Sequence, residues 1–318
     1  MKKNTAIVLG GSFDLSFAIG AFLINLKKYS PNLADDIIIY HDNISEKDQE
    51  IMNSIIPVKF IKFELNEKLN NIDTFVRERF SDLIFFKYEC LKLLNEYKTV
   101  IVTDFDVLLL DDISEIAIPK NNNVKCKMLK DFIEIIGGDL SHDILNEPSF
   151  KYDKDMFVMG AGLIVFYDTI KNIDELYNYC LDKTMQYSKY LLLPEQAIFS
   201  LMLHDFNIEP EVIDRTIYVV HPREHHKYKD AKILHAFGPQ KFWNSIENDS
   251  WNANYKEWIK LGGSKKRNSI FVSSKLSHRD FIINKIAWWI PIKNGVVVLE
   301  INLEKADSNL FNLKKGQP

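Results

Sequence analysis

Asp104 and Asp106 flank a phenylalanine at the end of the apolar run Val100-Ile-Val-Thr-Asp104-Phe-Asp106-Val-Leu-Leu-Leu110. Side chains of an extended segment alternate with period two, so both carboxylates are expected on one side, a few ångströms apart. Like charges that close disfavour each other's ionisation unless a cation or strong donors compensate, and a divalent metal is the usual compensation. Acid-X-acid triplets are also common in solvated turns, which is how Asp111 and Asp112 read. A second element lifts the pair above that background. His235-Ala-Phe-Gly238-Pro-Gln-Lys241-Phe-Trp243 follows a short apolar run, Ala231 to Leu234. It offers an imidazole for a metal, a glycine for close backbone approach and a lysine for phosphate, the pieces of a nucleotide-diphosphate site.

The elements that must carry these residues follow from local pattern. Ala6 to Leu9 is a buried first strand, Gly10-Gly11 a turn signal, and Leu15 to Leu26 a helix running into Lys27-Lys28. Met1-Lys2-Lys3 imitates the start of a signal peptide, but Asp14 interrupts the apolar stretch, and strand, turn, helix is the reading that fits. Asp36 to Tyr40 predicts a second strand, Ser45 to Ser54 a helix capped by Ser45, and Pro57 to Leu65 a third strand. Ser81 to Glu96 predicts a helix with an apolar face of Ile84, Phe85, Phe86, Leu91 and Leu94, and Lys87 as its polar exception. Met156 to Phe166 reads as a strand in which Gly160 and Gly162 admit another backbone or a ligand. Leu193-Pro194-Glu195-Gln196 opens a helix reaching about His204. This alternation predicts an α/β fold, a single Rossmann-like, mostly parallel sheet with helices on both faces. Ligands of such sheets bind beyond the carboxyl ends of strands, where Gly10 to Phe13 and Asp104 to Asp106 both fall.

In order and spacing, Asp104-Phe105-Asp106, then Gly160-Ala161-Gly162-Leu-Ile-Val-Phe166, then Pro194-Glu195-Gln196, then His235 to Trp243 resemble the family 8 retaining glycosyltransferases. These include glycogenin and bacterial lipopolysaccharide galactosyl- and glucosyltransferases. The resemblance covers about residues 5 to 262. It implies a GT-A fold, a nucleotide-sugar donor, usually a UDP-sugar, and Mn2+, with Mg2+ as the alternative ion. By the same resemblance Asp104, Asp106 and His235 hold the metal, Lys241 contacts the diphosphate and Lys87 reaches the donor. Gly10, Gly11 and Phe13 would cup the base, with Phe13 against the ring, while Phe105, Gly160, Ala161, Gly162 and Gly238 would line the donor site. Glu195 would orient the donor sugar, and Gln196 would lie near the anomeric carbon on the face away from the leaving diphosphate. Glutamine is a poor nucleophile, so front-face displacement through an oxocarbenium-like transition state is implied. The chain departs from the family pattern at Gly160, where asparagine is usual, and at Gly11, where an acid is frequent.

With 318 residues, 46% hydrophobic, 26% charged and a net charge of -4, the chain is long enough for one large domain plus an appendage. It lacks the basic character of a nucleic-acid binder. Cys90, Cys126 and Cys180 show no CxxC spacing and leave an odd count, which predicts reduced thiols in a cytoplasmic protein. His221, His225 and His226 read as a polar surface loop near the acceptor, since no cysteine or helical spacing supports zinc. The expected division is a catalytic domain over residues 1–262 and a C-terminal segment over residues 263–318. Between Ser264 and Asn294 this segment carries seven basic residues, Lys265, Lys266, Arg267, Lys275, Arg279, Lys285 and Lys293, against Asp280 alone. Its aromatic run Phe281 to Ile292 is too short to span a bilayer but suits an anionic membrane surface, or a helix packed on the domain or a partner. The function expected from all this is a retaining hexosyltransferase using a UDP-sugar and a glycan or glycolipid acceptor at the cytoplasmic face of a membrane. The alternatives are a sugar-1-phosphate nucleotidyltransferase and a nucleotide-sugar-binding protein with weak turnover. The former would want a Gly-rich loop bearing Arg or Lys after the first strand, and Gly10-Gly11-Ser12-Phe13-Asp14 has neither.

Overall fold

Two-sided burial organises the sheet. Ala6 and Val8 pack into one core with Val100 and Val102, while Ile7 and Leu9 pack into the other with Ile101. Period-two alternation of apolar residues on both faces is what a sheet covered by helices on each side requires. A computed structural model of the chain describes residues 1–131, 133–153 and 155–266, and beyond them only Ile292–Lys293 and Val296–Val297; the side chains of residues 78 and 79 are also outside the described set. The expected C-terminal helical appendage and its basic residues from Arg267 onward lie outside the described residues. Met1–Lys266 forms one compact unit. Among the described residues no helix is long and apolar enough to cross a membrane.

In chain order the elements are β1 (Lys3–Ser12), α1 (Ser16–Tyr29), β2 (Asp36–Asp42), α2 (Glu46–Ile55), β3 (Val58–Lys62), α3 (Thr74–Arg79), α4 (Phe86–Lys92), β4 (Tyr97–Thr103) and β5 (Val107–Leu109). They continue with β6 (Cys126–Lys130), β7 (Met159–Tyr167), α5 (Ile173–Gln186), α6 (Pro194–Asp205), β8 (Glu211–Val212), α7 (Arg215–Tyr218), β9 (Ile233–His235) and α8 (Asp249–Lys260). Seven strands form the main sheet in the order β3-β2-β1-β4-β7-β6-β8. Only β7 runs against its neighbours. Since β2 and β4 lie on opposite sides of β1, the chain leaves β1 in two directions, and a crevice opens beyond the carboxyl ends of β1 and β4. Strands β5 and β9 form a separate antiparallel pair.

Several local expectations hold and others shift. Ser45 caps α2, its hydroxyl accepting from the Asp48 N–H at 3.2 Å. Pro194 occupies the first turn of α6. The helix expected from Ser81 to Glu96 is broken into a 3-10 turn (Asp82–Phe85), α4 and a second 3-10 turn (Leu93–Asn95), although Ser81 does cap it. Gly10 and Gly11 are not a turn. They lie inside β1, in register with Tyr40 and His41 of β2. A Cβ at Gly10 would stand 2.4 Å from the Phe86 ring and one at Gly11 would stand 2.3 Å from Ile19, so packing rather than chain reversal requires these glycines. All three cysteines are free and buried.

At the other end of the sheet Asp36 begins β2 under three donors: the Tyr97 hydroxyl at 2.6 Å, Lys3 at 2.6 Å and Lys59 at 2.9 Å. Burial alone would raise its pKa, but these partners bring it down to about 2 from 3.8. A folded pKa below the unfolded one stabilises the protein above the unfolded value, and the gain is lost as pH falls toward the folded value. Both lysines are half exposed, at 51% and 48% of the side chain, so solvent screens their share and the buried Tyr97 hydroxyl dominates. Asp36→Asn is therefore expected to lose about 1 kcal/mol in urea unfolding near neutral pH and less than about half of that at about pH 2, where the folded carboxyl is half protonated. An equal deficit at both pH values would rule out the ionised carboxylate as the cause.

Candidate active site

Strand β4 ends at Thr103, and Asp104, Phe105 and Asp106 form the bend that carries the chain into β5. The two acids therefore do not alternate along a strand as expected. They converge because the bend folds both side chains toward β9. Val107 pairs with His235 across the small antiparallel ladder, and the Ala236 N–H donates to the Asp106 carbonyl at 2.9 Å. This ladder brings a distant histidine against the acids, so one ligand atom from each of Asp104, Asp106 and His235 lies within 4.8 Å of the others. His235 Nε2 is 3.2 Å from Asp106 Oδ1 and 3.6 Å from Asp104 Oδ2. Asp106 and His235 are buried, while Asp104 keeps 31% of its side chain exposed.

The donor set fits a divalent cation. Asp106 Oδ1 is buried and accepts no hydrogen bond among the described residues, which for a carboxylate oxygen is costly unless a cation faces it. Two carboxylates suit Mg2+ or Mn2+, and the imidazole favours the softer of the two. The other edge of the His235 ring packs on Gly162, where a Cβ would come within 2.3 Å of it, so Gly162 sets the ring's position. A cation already neighbours the acids, for the Lys241 ammonium pairs with Asp106 Oδ2 and donates to the Ala236 carbonyl at 2.9 Å. Burial would raise the Asp106 pKa, but Lys241 and His235 more than offset it and hold the carboxyl well below the usual carboxylate range. Gly238, with φ of +82°, supplies the left-handed backbone that returns Lys241 to the acids.

Lys87 closes the other side. Its ammonium is buried, 3.2 Å from Asp104 Oδ1, 3.1 Å from Glu195 Oε1 and 3.2 Å from the Ala161 carbonyl. Burial lowers a lysine's pKa, yet Asp104 and Glu195 raise it above the ordinary value. Ala161 is available to Lys87 because the β6–β7 ladder slips here. Met128 pairs with Ile164 but Leu129 pairs with Gly160, so residues 161–163 bow out of that ladder. The bulge frees the Ala161 N–H as well, and it donates to Gln196 Oε1 at 3.1 Å. Gln196 Nε2 donates to Asp139 Oδ1 at 2.9 Å and to Asp131 Oδ2 at 3.2 Å. Gly160 lies at the edge of this cluster, its Cβ direction 3.9 Å from Asp131 Oδ2.

The structure thus brings Asp104, Asp106, His235, Lys241, Lys87, Glu195, Gln196, Ala161 and Gly162 into one connected set. Phe105 instead stacks on Trp243, with ring centroids 6.1 Å apart, and Phe13 is 44% exposed just after β1. Of the three histidines expected in a surface loop, His226 is exposed and His225 half-buried in the turn Pro222–Lys227. His221 differs: it contacts Phe237 edge-on at 4.9 Å, and burial above all lowers its pKa, leaving it uncharged at neutral pH. Asp131 and Asp139 were not singled out by sequence. Neither belongs to a motif, and only the turn chemistry of Gly137-Gly138 just before Asp139 marks the place.

No protein-family model matches the sequence and no curated protein matches it. Solved structures do. The apo bifunctional glycosyltransferase WbbM is 16% identical, with a TM-score of 0.60 over 85% of this chain and 52% of that one. The galactosyltransferase LgtC, solved with donor and acceptor sugar analogues, is 14% identical, with a TM-score of 0.56 over 83% of this chain and 97% of that one. The apo glycosyltransferase GlyE of Streptococcus pneumoniae TIGR4 is 14% identical, with a TM-score of 0.52 over 81% and 64%. This chain spans about half the length of WbbM. At such identities the likeness concerns the fold, and the α/β fold of this chain is the GT-A fold of these glycosyltransferases.

Proposed function

We propose that this protein is a metal-dependent retaining glycosyltransferase that moves a hexose from a UDP-sugar to an acceptor glycan, of the kind assembled into bacterial lipopolysaccharide, lipooligosaccharide or capsule. The observation that carries this reading is the convergence of Asp104, Asp106 and His235, with Lys241 beside them, at the switch point of a GT-A sheet. Asp104, Asp106 and His235 would hold Mn2+, which when bound supplies positive charge to the leaving diphosphate. Lys241 adds a second positive charge there, and each such contact is typically worth on the order of 3 kcal/mol in the transition state. Lys87 fixes Asp104 and Glu195 with respect to each other, and Glu195 orients the donor sugar. Gln196 Oε1, held by the Ala161 N–H, keeps a second lone pair with which to stabilise positive charge at the anomeric carbon. An amide is a poor nucleophile, so the acceptor hydroxyl attacks from the side the diphosphate leaves, its proton passing to the departing diphosphate oxygen, and configuration is retained. The basic C-terminal segment would place the enzyme on an anionic membrane surface. The nucleotidyltransferase alternative gains nothing from Gly10 and Gly11, which are strand residues rather than a phosphate loop.

The test is UDP release from UDP-galactose, UDP-glucose, UDP-N-acetylglucosamine and UDP-N-acetylgalactosamine, with Mn2+ or with EDTA. Release from one donor, lost in EDTA and in Asp106→Asn, is the expected result. A folded protein that binds neither UDP nor Mn2+ would remove the proposal.

A further inference from the structure

We propose that Asp139 is a positioning residue that sets the amide of Gln196 and docks the start of α6; its consequence for turnover rests on the transferase reading above. Asp139 is fully buried, and it meets α6 in two ways. Its carboxyl Oδ1 accepts from Gln196 Nε2 at 2.9 Å, while its backbone carbonyl accepts from the Leu192 and Leu193 N–H groups at 2.8 Å and 3.1 Å. Leu192 and Leu193 are the residues immediately before Pro194, so the same residue anchors the helix entry and the catalytic candidate one turn inside it. The delivery is local: Gly137, at φ of +83°, turns the chain, its N–H donates to the Leu140 carbonyl at 2.6 Å, and Leu140 bridges to Leu191.

The chemistry of an amide explains why this matters. Gln196 has one accepting end and one donating end, and its surroundings match them without ambiguity. The Ala161 N–H can be met only by oxygen, whereas the oxygens Asp139 Oδ1 and Asp131 Oδ2 accept from the NH2 group. The amide therefore cannot flip without mismatching two buried groups, the Ala161 N–H and the Asp139 carboxyl, and the half-buried carboxyl of Asp131. Donation to two carboxyls also shifts electron density toward Oε1, the end that would face developing positive charge. Asp131 keeps 24% of its side chain exposed and Asp139 none, so Asp139 is the more rigid of the two anchors.

Thermal unfolding of Gln196→Glu, Asp139→Asn and the double variant tests the contact without reference to turnover. Gln196→Glu sets a third carboxyl against Asp139 and Asp131 and is expected to lower Tm by roughly 5 °C. Asp139→Asn gives that new carboxyl a donor, so the double variant is expected to recover at least about half of the loss, a non-additivity that independent residues do not show. Simple addition of the two effects would overturn the proposal. Turnover supplies the second arm. Asp139→Ala is expected to lower kcat about 100-fold with little change in donor KM, while Asp139→Asn, whose Oδ1 still accepts from Gln196, stays within about tenfold. A kcat for Asp139→Ala near wild type would also overturn it. Thermal rescue in a protein that transfers no sugar would uphold the positioning contact and count against the transferase reading instead.

Discussion

In urea unfolding, Lys87→Met is expected to lose about 3 kcal/mol, and donor turnover is expected to vanish with it. The ammonium of Lys87 is buried among Asp104, Glu195 and the Ala161 carbonyl, and it is their shared cation. Methionine reproduces the side chain as far as the ε carbon and lacks only the ammonium, so most packing is kept and charge is what changes. Breaking a buried pair by removing one partner is costly because the other charge is left without compensation. Asp104 can turn toward water, with 31% of its side chain exposed, but Glu195, at 8%, cannot, which puts the cost at the lower end of the roughly 3–5 kcal/mol range for such losses. The folded pKa of Lys87 is raised above its ordinary 10.5, so its stabilisation is complete below that value and is lost only as pH rises above it. The deficit of the variant should therefore be constant through the neutral range. Lys87→Met/Glu195→Gln should recover part of the stability without recovering turnover, since the stranded charge is then gone. A loss below about 1 kcal/mol would mean that Glu195 is compensated by something other than Lys87.

What the sequence made legible is what local pattern encodes. Short apolar runs marked β1, β2 and β4, a serine and a proline marked two helix starts, and the identity and spacing of His235, Gly238 and Lys241 marked them as belonging to one site. The expectation that Asp104 and Asp106 share a side was right in outcome and wrong in cause, because a bend and a strand can both bring residues i and i+2 together. Gly10 and Gly11 misled for a related reason. Glycine marks turns, but it also marks places where a strand is pressed by another side chain, and here Phe86 and Ile19 do the pressing. The β6–β7 slip could not be read at all, since it depends on register between strands far apart in sequence. Without it the Ala161 N–H and carbonyl would be spent on the ladder, and neither Gln196 nor Lys87 would have its backbone partner. Asp131 and Asp139 escaped notice for the same reason: their meaning comes from Gln196, which reaches them only after the chain has passed through β7 and α5.

Lys241→Met is expected to move two affinities in opposite directions. In the free protein its ammonium pairs with Asp106 Oδ2, the second oxygen of a carboxylate that a divalent ion would share, so the two cations compete for its charge. Removing it should tighten Mn2+ binding by about tenfold, or 1.4 kcal/mol, when titrated without nucleotide. The same change removes the cation proposed to face the diphosphate. A charge-assisted hydrogen bond is worth roughly 1.5–3 kcal/mol, so UDP affinity in saturating Mn2+ should fall about 10- to 150-fold. Lys241 keeps 23% of its side chain exposed and sits on a loop turned by Gly238, so moving from Asp106 to a phosphate needs no rearrangement of the sheet. Calorimetric titration with Mn2+ alone and then with UDP separates the two effects. Weaker Mn2+ binding in the variant would show that Lys241 supports the acid cluster rather than competing for it, and unchanged UDP affinity would place the diphosphate elsewhere. The opposite-sign pair is the signature of a lysine that holds the empty acids and gives them up to the metal when the donor arrives.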